Sequence, residues 1–143
     1  MKKLMLVLTM LLAFALSSVA FAADGGDLNK EQKSAEKMIS AFNSTTPVEY
    51  TVIAPTWSDE LNKNIGEKGY AEIKKQVKAQ FGELKETKFY SFERFDQGDR
   101  VTYIAAFSKE KVVIMVFMFA KDGKLQNFNF APYKAPEKAA DKK

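Results

Sequence analysis

Apolar positions recur along this chain with two different periods, and the switch between them divides it. Ala35, Met38, Ile39 and Phe42 fall at i, i+3, i+4 and i+7, the spacing of one helical stripe. Lys30, Glu31, Lys33, Glu36 and Lys37 occupy the other side, so "LNKEQKSAEKMISAFNS" is predicted to be an amphipathic helix. A second stripe, Tyr70, Ile73, Val77 and Phe81, runs through "YAEIKKQVKAQF" and ends at Gly82, a helix-stop residue. Beyond Gly82 the chemistry becomes that of strands. "ETKFYSFERF", "RVTYIAAF", "KVVIMVFMFA" and "KLQNFNF" are separated by "DQGD", "SKEK" and "KDGK", with Asp122-Gly123 the strongest hairpin signal. Such short loops force antiparallel neighbours, so the four strands form a meander in chain order. The fold class is α+β, with N-terminal helices packed on a curved four-stranded antiparallel sheet.

The segment "TTPVEYTVIAPTW" carries two signals. Val48, Tyr50, Val52 and Ile53 suit a strand, while Thr46, Pro47 and Glu49 spell a capping box and Tyr50, Ile53, Ala54 and Trp57 fit a helical stripe. A short helix is the preferred reading, limited by Pro55, and Ser58 then caps a further turn through Leu61 and Ile65 to a break at Gly66. The nine apolar residues from Val112 to Ala120 reach only about 14 Å as a helix but about 30 Å as a strand, so they read as an inner strand rather than a membrane span.

Taking the Asp-Gly loop as two residues and "SKEK" as a two- or four-residue loop sets a register. One face then carries Ile104, Ala106, Val113, Met115, Phe117, Phe119, Phe128 and Phe130. The other carries Val101, Tyr103, Ala105, Phe107, Val112, Ile114, Val116, Met118, Leu125, Asn127 and Asn129. The helices cover one face. The second requires curvature around a cavity, a partner subunit or a ligand.

Residues 1–22 are a different kind of sequence. Lys2 and Lys3 precede an apolar run from Leu4 to Leu16, and Ala20-Phe21-Ala22 fits a signal-peptidase site. Export to the periplasm or the exterior is therefore expected, with residues 23–133 as a single domain and 134–143 as a disordered tail rich in Lys, Ala and Pro. The formal charge of +4 is misleading, because the leader's two lysines and the net charge of the tail account for all of it. A neutral body without a basic stripe argues against nucleic acid as a partner. The chain has no Cys and no His, which removes thiolate and imidazole chemistry and the usual zinc sites. No metal, no cofactor and no stable membrane span are expected. Asp96 and Asp99 lack the ligand count of a calcium loop.

Taken in order, "AEKMISAFN", "SDELNKNI", "VKAQFGELKE" and the closing "FAKDGKLQNFNFAP" resemble a bacterial exported family, domain of unknown function 3887, across roughly Ser34 to Pro132. The order of helices and meander also resembles the nuclear transport factor 2-like, or cystatin-like, superfamily. That resemblance implies a cone-shaped α+β fold, and for the superfamily's enzymes a site inside the cone. The family implies no activity and offers no catalytic motif. Two function classes follow. In the first, the chain is a non-enzymatic module that binds a small apolar or peptide-like ligand, or pairs as a homodimer through the sheet. Tyr103, Asn127, Asn129, Trp57 and Tyr50 are then the binding candidates. In the second it is a small hydro-lyase or isomerase, with Glu93 as buried base and Tyr103 as oxyanion donor.

Overall fold

The computed structural model describes residues 25–43, 45 and 48–135. The expected leader (1–22) and residues 136–143 of the tail lie outside them, as do Thr46 and Pro47 of the capping box. Helix α1 spans Gly25–Ser40 and a single turn, α2, spans Tyr50–Ile53, followed by a 3-10 turn at Ala54–Thr56. Helix α3 runs Asp59–Phe81, and strands β1 (Leu84–Phe95), β2 (Gly98–Phe107), β3 (Val113–Ala120) and β4 (Leu125–Pro132) follow. The sheet is antiparallel in the order β1-β2-β3-β4, so β3 is an inner strand. The α+β expectation holds: helices pack on one side of an open sheet.

Local differences have local causes. Helix α1 begins at Gly25, three residues before the stretch from Leu28 predicted to be helical. The short helix in the ambiguous segment forms, but it starts at Tyr50, and Glu49 at its N-cap makes no side-chain cap. Ser58 does cap α3, accepting from the Leu61 N–H at 3.1 Å. Gly66 breaks α3 without ending it. Its φ of +64° and ψ of −174° kink the helix, so both halves belong to one element.

The core is a single cluster. Val113, Met115, Phe117 and Phe119 of β3 are at most 1% exposed, and with Val101, Tyr103, Ala105 and Phe107 of β2 they meet Ala35, Met38, Ile39, Ile53 and Trp57. Each such large apolar side chain contributes roughly 1.5–3 kcal/mol on burial.

The β2–β3 register corrects the expected faces. Tyr103 opposes Met115 and Val101 opposes Phe117, one residue away from the expected pairing with Val116. The loop spans residues 108–112, an odd number of residues where an even one was assumed, and that single step moves every β2 side chain to the other face. The loop is held from outside the hairpin. Ser108 N–H donates to the Glu83 carbonyl, Ser108 Oγ accepts from the Glu83 N–H, and Lys109 N–H donates to the Phe81 carbonyl, each at 2.8 Å. Phe117 opposes Phe128 as expected, but a bulge at Met118/Phe119 sets Leu125 against Phe119 rather than Ala120 and brings Leu125 into the core.

Gly82 makes that tether possible. Its φ is +84°, and a Cβ there would lie 2.1 Å from Ser108 Oγ. Replacing Gly82 with Ala should therefore destabilise the fold by about 2 kcal/mol or more, combining left-handed strain with a clash. At Gly66 a Cβ meets nothing within 4 Å, so G66A should cost only the backbone term of about 1–2 kcal/mol. Paired urea melts of the two variants check the difference. Equal losses would mean that the Gly82–Ser108 contact does not matter.

Candidate functional site

The sheet's outer face offers the most distinctive chemistry among the described residues. Ile104, Ile114 and Val116 point outward and are half-buried, and Met118 is 37% exposed. None of the four belongs to the core cluster or packs against it. An antiparallel sheet with one wet face normally alternates apolar-in with polar-out. Here the outward positions of the two central strands remain largely apolar. Asn127 and Asn129 of β4 flank this strip on one side, exposed to solvent. On the other side lie Glu93 and Arg100, cross-strand partners joined by two hydrogen bonds at 2.6 and 2.8 Å. Phe95 stacks over the Arg100 guanidinium at 5.2 Å.

Both edges of the sheet carry features that discourage pairing. β1 carries Lys85, Glu86, Lys88, Glu93 and Arg94 and two register irregularities. β4 is bridged by Trp57 at Leu125, Ser58 N–H donates to the Leu125 carbonyl at 2.8 Å, and Pro132 ends the strand. Charge, bulges, cover and proline are the devices that prevent edge-to-edge addition.

The residues expected to share a ligand site do not all meet. Tyr103 lies on the helix-facing side at 3% exposure, whereas Asn127 and Asn129 lie on the outer face. The one-residue register change separates them. Tyr103 donates to Glu36 Oε1 at 3.2 Å, and its ring makes edge contacts with Phe89 and Phe117. Burial, then the Glu36 charge, raises its pKa well above that of a free phenol. Tyr50 and Trp57 do come together, in a ring cluster with Tyr70 at centroid separations of 5.9–6.0 Å. Trp57 is 2% exposed, so this is core rather than a mouth. The Tyr70 hydroxyl donates to the Val48 carbonyl, and burial pushes its pKa up to about 12.

Glu93 and Tyr103 also lie on opposite faces, so one substrate cannot touch both. The Glu93 carboxylate is 41% exposed, and the Arg100 hydrogen bond holds its pKa below the usual value, the reverse of what a general base near neutrality requires. Nothing in the sequence order singles out Arg100 as the partner of Glu93, seven residues away. The cross-strand register that pairs them emerges only with the fold.

A cleft of roughly 440 Å³ lies at one end of the sheet, where α1 meets the β1–β2 and β3–β4 turns. Lys30, Glu31, Arg94, Asp99, Lys121 and Asp122 are among its walls. Its charges largely serve the fold. Arg94 grips the buried Asp99 through two hydrogen bonds at 3.1 and 3.3 Å, and Lys30 donates to the Asp122 carbonyl at 3.3 Å. Among the described residues no group of three or more acidic side chains is placed to hold a metal ion. Among the described residues no helix is long and apolar enough to cross a membrane.

Residues 35–128, more than half of the chain, match the family described as protein of unknown function (DUF3887). The chain belongs to that family. No curated protein and no solved structure matches it. The DUF3887 match starts at Ala35, in the middle of α1, and ends at Phe128 in β4, so it takes in the core cluster and the outer face together.

Two titrations follow from these environments. Tyr70 and Tyr103 are held neutral in the folded state, so their contribution is full below the unfolded phenol's pKa near 10. It is lost as pH rises toward the raised folded values, about 12 for Tyr70. Thermal melts should fall steeply above pH 10, and Y70F should flatten that fall. In the other direction, the Glu93–Arg100 contribution is present above the unfolded carboxylate pKa and fades as pH drops through the lowered folded value. The pair is solvent-screened, so E93Q should remove less than about 1 kcal/mol at neutral pH in urea melts.

Proposed function

We propose that this DUF3887 chain is an exported, non-enzymatic interaction module, and that its working surface is the open outer face of the sheet, engaged by a second copy of the chain. The observation that carries this reading is the outward row Ile104, Ile114, Val116 and Met118, which no described helix covers. Burying such a row is favourable at about 25 cal/mol per Å² of apolar surface removed from water. The rim favours self-pairing. Glu86 and Glu93 balance Lys88 and Arg100 among the outward residues of β1 and β2, and the Asn127–Asn129 side is neutral. A two-fold pair juxtaposes the same patch with itself, and this one has little net charge to repel its copy. The obstacles at the edges favour face-to-face packing over edge addition.

Export rests on the leader sequence and its Ala20-Phe21-Ala22 cleavage pattern. A small apolar or peptide-like ligand on the same outer face is the competing occupant. The hydro-lyase or isomerase reading gains nothing from the geometry, because Glu93 and Tyr103 cannot act on one substrate.

Sedimentation of the purified chain over a dilution series tests the pairing. A concentration-dependent dimer is expected. V116K should shift it to monomer while changing folding stability by less than about 1 kcal/mol. A monomer at every concentration, or a dimer indifferent to V116K, would defeat the reading.

A further inference from the structure

Met118 lies at one end of that apolar row, two residues before the end of β3, and its surroundings give it chemistry of its own. The chain contains six methionines and no cysteine. Of the three among the described residues, Met38 and Met115 are 0% exposed and Met118 is 37% exposed. Among the described residues it is therefore the one sulfur that a small oxidant in solution reaches directly. Its two cross-strand neighbours are Arg100 on β2 and Asn127 on β4. Side chains directly opposed on one sheet face stand about 5 Å apart at Cβ, and both of these carry N–H donors. Next along β3, on the same face, is the apolar Val116.

We propose that Met118 is an oxidation site that switches the outer face from associating to solitary. This rests on the reading of that face as the pairing surface. A peroxide is the oxidant. The thioether sulfur attacks one peroxide oxygen, the S–O bond forms as the O–O bond breaks, and water leaves after proton transfer. Sulfur is oxidised by two electrons to the sulfoxide and the peroxide is reduced by the same two.

The added oxygen is a strong acceptor. In the separate chain it lies between the Arg100 guanidinium and the Asn127 amide, two donors able to satisfy it. In the paired state the same oxygen enters an apolar contact, and burying an acceptor without full satisfaction is unfavourable. Oxidation thus favours the free chain while leaving the helix-facing core untouched, because Met115 and Met38 are sealed. Pairing in turn covers Met118 and slows its oxidation.

The test uses the purified full chain, diluted below its dimer dissociation constant and exposed to dilute hydrogen peroxide, with methionine oxidation followed peptide by peptide in mass spectra. Met118 should gain one oxygen at least about tenfold faster than Met38 and Met115, with an unchanged far-UV circular dichroism spectrum. Sedimentation of the oxidised chain should show its dimer dissociation constant raised about tenfold or more, a penalty in line with one poorly satisfied acceptor. The M118L chain should associate like the parent and ignore peroxide. Comparable oxidation of all three methionines, an unshifted dissociation constant after complete Met118 oxidation, or an M118L dimer that peroxide still dissociates would each overturn the proposal. The untreated dilution series reads the pairing surface separately. A chain monomeric before treatment removes both readings, whereas a dimer indifferent to Met118 oxidation removes only the switch.

Discussion

Everything else in this domain depends on how the sequence of β3 divides between two environments. Val113, Met115, Phe117 and Phe119 point into the helix layer and are essentially sealed, while Ile114, Val116 and Met118 alternate with them on the other side. An eight-residue strand with apolar residues on both faces needs cover twice over. The helices supply it once, through the Ala35–Met38–Ile39 stripe of α1 and through Ile53 and Trp57. The other half, Ile114, Val116 and Met118, lies outside the core cluster.

The polar groups reinforce this asymmetry. On the helix side, Tyr103 is tied to Glu36, Tyr70 to Val48 and Tyr50 to Asn62, so buried hydroxyls have partners and the aromatic cluster stays fixed. On the outer side the ionic groups pair with one another across strands, as Glu93 does with Arg100, and remain at the margin of the apolar strip. A catalytic constellation would need a carboxylate and a donor converging in one enclosed space. The sheet holds the candidates apart by its own thickness. What the outer face offers is an apolar strip between polar margins and, among the described residues, one accessible thioether.

Much of the fold was legible in the sequence. The helical stripes, the four strands, their chain order and the Phe117–Phe128 pairing all follow from periodicity and from turn chemistry at positions such as Asp122-Gly123. The candidate site was less legible. Tyr103 was placed with Asn127 and Asn129 because the loop after Phe107 was counted as even. Leu125 was grouped with Asn127 and Asn129 because a bulge cannot be read from the residues that form it.

The sequence by itself determined the elements and their order, because helical and strand periods, caps and tight turns are written within a few residues of one another. Only the tertiary structure decided which side of the sheet each β2 residue faces. That choice depends on the loop at Ser108–Lys109 being tied to the Phe81–Glu83 corner, a contact some 25 residues distant in the chain that exists only because Gly82 lets the two backbones approach. A one-residue difference in that loop exchanges the two faces of a strand, and no local pattern encodes it.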